Sequence, residues 1–142
     1  MATKSSRRRA REYAMQGVYQ WLLAGGVAHD IDVQLRADKH FDQADPVFFA
    51  RLLTGTLESI ESLEPMIAPH LDRPLKELTP VERAILLIGA FELRECVDVP
   101  YRVIVNEAIE LTKTFGGTDG HRYVNGVLDK LVGDLRPAEA RA

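Results

Sequence analysis

Cysteine occurs once, at Cys96, so the chain cannot form an internal disulfide. That residue sits among apolar neighbours and reads as a small core side chain, and a reducing cytoplasm suits such a protein. No eighteen consecutive apolar residues occur, so no membrane-spanning helix is expected. Basic residues followed by apolar ones open the chain, but Glu12, Gln16 and Gln20 interrupt the apolar part, where a secretory signal would be continuous. Alternating strand patterns are missing, and the one β-like run, VIV at 103–105, lies inside a helical repeat. There is no glycine-rich phosphate or dinucleotide fingerprint. His29, His40, His70 and His121 are scattered, without HExxH or zinc spacing, so no metal or cofactor is expected. Glu107 and Glu110 share a helix with charged neighbours, and a solvated face accounts for them. Without a catalytic constellation, an enzyme is not expected.

What is present is helical punctuation. A chain of 142 residues, 46% apolar and 27% charged, suffices for one domain with a real core. Gly25-Gly26 stop a first helix. Residues 29–40 spell a short second one, with Ile31, Val33 and Leu35 inward. Asp45-Pro46 joins an N-cap to a proline at the first helical position. Phe48, Phe49, Leu52, Leu53, Leu57, Ile60 and Leu63 then follow at helical spacing. Pro65 is expected to break or restart that helix, with Met66, Ile67 and Leu71 in a short continuation. Thr79-Pro80-Val81-Glu82 fits a capping box and opens AILLIGAFEL, apolar nearly all round, the expected buried central helix. Residues 101–115 carry Ile104, Ala108, Ile109, Leu111 and Phe115 on a further helix closed by Gly116-Gly117. Thr118 or Asp119 can cap a last helix with Tyr123, Val124, Val127, Leu128 and Leu131 inward. Gly126 inside it reads as a point of close helix approach. The fold class is all-α: a single domain of about seven helices over residues 1–142, with 1–5 and 137–142 as flexible ends.

The charges are unevenly placed. Lys4, Arg7, Arg8, Arg9 and Arg11 fall within eight residues, while the remaining 13 Lys and Arg face 21 Asp and Glu. A basic arm on an acidic body points to an anionic partner such as nucleic acid. No helix-turn-helix or zinc finger accompanies it, so RNA suits it better than DNA. At about 100° per residue, Ala10, Ala14, Gly17, Val18 and Trp21 make the core stripe of the first helix. Met15, Tyr19 and Leu23 make a second strip on the opposite side, below the arginines, where a protein partner fits. In GGTDGHRYVNG, residues 116–126, a helix N-terminus can attract an anion, although a plain helix connection accounts for the spacing. Glu82 can serve the capping box or reach a basic partner. A protein-interaction module with only non-specific anion binding is the competing reading.

The runs RRRARE (7–12) with Tyr19-Gln20, VPYRVIVNEAIELTKTFGG (99–117) and HRYVNGVLDKL (121–131) closely resemble the NusB family of bacterial transcription antitermination factors, over almost the whole chain. The resemblance implies two packed helical bundles and a non-enzymatic role in the cytoplasm. It implies binding of boxA RNA from ribosomal RNA operons together with NusE, a small-subunit ribosomal protein, within the RNA polymerase antitermination complex. It places RNA contacts on Arg7, Arg8, Arg9, Arg11, Asp119, Arg122 and Tyr123. It places NusE contacts on Tyr19, Leu23 and Glu82, beside Met15 of the strip. Similar domains occur fused to ribosomal RNA methyltransferases; the length of this chain favours a stand-alone factor.

Overall fold

Local signals set where each helix starts and stops. Ser5 caps α1 (Ser6–Ala24) by accepting the Arg8 N–H, and Gly25, at φ 70°, turns the chain out of it. After α2 (Ala28–Arg36) and a 3-10 turn at Phe41–Gln43, the Asp45 carboxylate accepts the Phe48 N–H at 3.0 Å and opens α3 (Pro46–Ile67). Thr79 and Glu82 form the complete capping box of α4 (Pro80–Glu95). Next come α5 (Tyr101–Phe115), α6 (Gly120–Leu135) and a short α7 (Pro137–Ala140). The computed structural model describes residues 4–117 and 119–141, and no strand occurs among them.

Helices α1, α3 and α4 pack on one another, and α4, α5 and α6 do the same. Two three-helix bundles therefore share α4. This is why the sequence of α4 is apolar all round: every residue from Ala84 to Leu93 is buried. It also explains the two apolar sides of α1, which lies against both α3 and α4 and buries Met15 along with Ala14, Gly17 and Val18. At Gly55 an added Cβ would stand 2.2 Å from the Phe91 ring, so α3 and α4 approach there as only glycine allows. Gly126, the glycine that the sequence suggests for such a contact, has open space around it instead.

Other departures are local. Pro65 does not interrupt α3. It stands in the last turn on the exposed face with Glu61, where one missing hydrogen bond costs little, while buried Ile60, Leu63 and Ile67 hold the turn in place. Val33 is exposed rather than inward, and the second helix ends at Arg36. Thr118 lies outside the described residues. Asp119 occupies the N-cap position of α6 in a left-handed conformation, φ 67°, and its side chain caps nothing. Where the sequence suggests a flexible tail, residues 137–140 wind into α7, and Glu139 accepts the Tyr101 N–H at 3.2 Å. Cys96 is fully buried as expected, and burial pushes its thiol up to about 11.

Candidate nucleic-acid interface

The first two turns of α1 sort the arginines by depth. Arg7 is exposed, with its guanidinium carbon 4.3 Å from the Phe48 ring centroid, an arrangement that holds the charge at the surface. Arg9 is half-buried, and Lys4 meets Glu12 at 2.7 Å. Arg8 donates its Nε–H to Glu107 Oε2 at 2.8 Å and remains 36% exposed.

Arg11 does not belong with these surface arginines. Only 3% exposed, it grips Glu92 with two nitrogens: Nε lies 2.9 Å from Oε2 and Nη2 lies 2.8 Å from Oε1. Its Nη1 is 3.5 Å from Glu107 Oε1. Burial works against charge on both partners. On Glu92 burial wins and holds the carboxyl above the ordinary carboxylate range. On Arg11 the hydrogen bonds and charge of Glu92 outweigh burial and keep the guanidinium protonated. RNA cannot reach Arg11, which ties α1 to α4. Glu107, expected on a solvated face, is instead buried between two arginines.

Farther along α1, Tyr19 divides two adjoining grooves. One is formed with Gln20, Leu23 and Leu35, and the other with Val81 and Phe115. Leu23 is 60% exposed. Met15 is not a surface residue: it is a wall of the second groove but is buried and packs into the core. Glu82 Oε1 accepts the Thr79 hydroxyl at 2.8 Å, so one oxygen is committed to the cap, while Oε2 faces Gly120 at the start of α6.

At that start, Asp119 and Arg122 are exposed, with 3.9 Å between Oδ1 and Nε. Tyr123 is half-buried, and its hydroxyl accepts the Asp72 N–H at 3.2 Å. The Arg73 guanidinium carbon lies 4.7 Å from the Tyr123 ring centroid, and Arg73 Nε donates to Asp72 at 2.7 Å, which holds that carboxyl below its usual range. One face of the aromatic ring is thus covered by a cation that the sequence does not associate with it. His70 and Lys130 line the same cleft.

The end of α5 joins these parts. Thr114 borders the cleft of Lys4, Arg8 and Glu107, and Phe115, the next residue, borders the Tyr19 groove. The arginine arm and the apolar groove are therefore neighbours on one surface. Among the described residues no His, Cys, Asp and Glu gather as a metal site, and no helix is long and apolar enough to cross a membrane.

The family model for the NusB family matches residues 8–133. The chain is 57% identical over 139 residues to the transcription antitermination protein NusB of Paraburkholderia phytofirmans, a match covering 98% of this chain and 96% of that protein. The corresponding protein of Burkholderia vietnamiensis is 55% identical with the same shares covered. Among solved structures, T. maritima NusB superposes with a TM-score of 0.81 at 25% identity, covering 100% of both chains. A chain in the crystal structure of antitermination factors NusB and NusE in complex with dsRNA shares the fold, with a TM-score of 0.83 at 24% identity, covering 91% of this chain and 97% of that one. An all-helical fold of this topology, a family match over most of its length and relatives with more than half their residues in common establish that the chain belongs to the NusB family.

Proposed function

We propose that this chain is a transcription antitermination factor. It binds boxA RNA of ribosomal RNA operons together with NusE, and within the antitermination complex helps RNA polymerase pass terminators. The observation that carries this reading is the 57% identity, over nearly the full length, to a transcription antitermination protein. A solved structure of the same fold that contains NusB, NusE and RNA supports the choice of partners. The role is one of binding, without catalysis, and its place is the cytoplasm, where bacterial RNA is made.

Arg7, Arg8 and Arg9 meet the RNA backbone, and Arg122, Tyr123 and Asp119 extend the contact at the start of α6. Tyr123 and the guanidinium lying on it offer a flat surface to an unpaired base. Tyr19, Leu23 and Glu82 meet NusE, with Met15 supporting Tyr19 from beneath.

Fluorescence anisotropy of labelled boxA RNA and of a scrambled RNA, with and without NusE, tests the reading. Binding that prefers boxA and tightens with NusE is expected; equal binding to both RNAs, unaffected by NusE, would leave only a generic anion contact. The double change Arg7→Glu with Arg9→Glu should weaken boxA binding by about tenfold or more and flatten the salt dependence by about 1.4 in log–log slope, as for two lost phosphate contacts on a single strand. Unchanged binding by the ternary complex removes the arm from the RNA site.

Tyr19→Asp places an unpaired charge in the proposed contact and should weaken NusE binding by about tenfold or more in calorimetry. An unaltered Kd takes the groove out of the interface.

A further inference from the structure

We propose that Glu107 restrains Arg8, and so limits how strongly the arginine arm grips RNA of arbitrary sequence. The proposal rests on the reading that the arm meets RNA. Four side chains alternate in sign from the core outward. Glu92 holds Arg11 through two nitrogens, Arg11 stands 3.5 Å from Glu107, and Glu107 accepts the Arg8 Nε–H at 2.8 Å. Glu92 and Arg11 are fixed in the core, and Glu107 is itself buried, so the carboxylate that meets Arg8 has a set position.

Two consequences follow for Arg8. Its Nε–H is occupied, and its two terminal nitrogens, without a hydrogen-bond partner among the described residues, are the ones left for a phosphate, on a guanidinium plane fixed by the Glu107 contact. Its charge is also offset by a carboxylate in a partly dehydrated place, where screening is weak. The surrounding cleft does not restore a positive excess: Lys4 is paired with Glu12 at 2.7 Å, and Glu110 lines the same cleft. A phosphate arriving at Arg8 must therefore come at the angle its free nitrogens present, against the field of Glu107. Arg7 has no carboxylate partner among the described residues and meets only the Phe48 ring, so it serves as a general phosphate contact. Glu107 is thus a positioning residue that lowers affinity for any RNA strand and favours the strand whose backbone matches Arg8.

Anisotropy across a salt series, with scrambled and boxA single-stranded RNA, tests this on the full chain, Glu107→Gln, Arg8→Met and the double variant. Glu107→Gln should bind scrambled RNA about three- to tenfold tighter, with a log–log salt slope steeper by about 0.7, the value for one more phosphate contact. BoxA should gain less, so the preference for boxA falls. In the Arg8→Met background the glutamine should change neither affinity nor slope. Equal slopes for wild type and Glu107→Gln, or the same gain without Arg8, overturn the proposal. If Glu107→Gln does not fold, by circular dichroism, Arg8→Met alone decides. A restrained Arg8 contributes less to scrambled-RNA binding than Arg7, so Arg8→Met should weaken it less than Arg7→Met; an equal or larger loss is contrary. Failure of the antitermination reading looks different: wild type then binds boxA no better than scrambled RNA, while the slopes still report on Glu107 and Arg8.

Discussion

Arg11→Met lowers stability by about 3–5 kcal/mol, because it leaves the buried Glu92 carboxylate without its cation. The loss depends on pH. Burial already holds the Glu92 carboxyl above the ordinary range in spite of Arg11, and removal of the guanidinium moves it further up. A carboxyl that holds its proton more tightly in the folded state than in the unfolded one stabilises the fold in acid. That stability declines as pH rises from the unfolded value of about 4.3 through the folded one. The gap between wild type and Arg11→Met in urea denaturation should therefore widen from pH 5 to pH 8. Arg11→Met with Glu92→Met removes both charges and replaces them with apolar volume, and should recover most of the loss. A single variant within 1 kcal/mol of wild type at neutral pH would mean that the pair does not hold α1 to α4.

Arg136→Ala is the second change with a large expected effect. Arg136 donates to four backbone carbonyls at the C-terminal end of α4 and in the turn beyond: Leu93 at 2.9 Å, Glu92 at 3.2 Å, Cys96 at 2.8 Å and Val99 at 2.6 Å. It also meets Glu139 at 3.0 Å. Carbonyls at a helix end need donors, and a cation there complements the helix dipole. Alanine would leave the buried Leu93 and Val99 carbonyls unmet, take a second donor from those of Glu92 and Cys96, which keep the Cys96 and Val99 N–H, and release α7, at about 3–5 kcal/mol in total. Lysine should restore less than half of this, since one ammonium cannot span four carbonyls as a planar guanidinium does. Denaturant unfolding of the three proteins checks the order, and proteolysis should cut Arg136→Ala first near residue 136. A loss below 1 kcal/mol would show that water replaces the guanidinium without difficulty.

The legible parts of the sequence were those governed by local chemistry. Asp45-Pro46, the Thr79–Glu82 box and Gly25 act on their own neighbours, and each helix boundary they mark is where the structure has it. The separate role of Arg11 is hidden in the sequence, because a run of arginines reads as one feature. Yet Arg11 precedes Ala14 by three residues and Val18 by seven, which puts it on the buried stripe. Glu92, the one charged residue in the buried run from Ala84 to Leu93, calls for such a partner. Glu107 likewise follows Ile104 by three residues and precedes Leu111 by four, both buried. The contact of Arg73 with Tyr123 had no such signal, because it spans fifty residues and begins in a loop without periodicity. Met15 reads as surface on α1 alone, because the second helix that covers it lies far along the chain.

Because α4 belongs to both bundles, melting either one strips an apolar face of α4 of its cover, which couples the unfolding of the two. The two halves form one cooperative unit, in which the arginine arm sits on α1 and Tyr123 on α6. A ligand that binds only the folded chain at α1 raises the free energy of unfolding for α6 by the same amount, through linkage and without any change of shape. Whatever first occupies the groove beside Tyr19 thereby also keeps the distant aromatic cleft folded and ready for its own ligand.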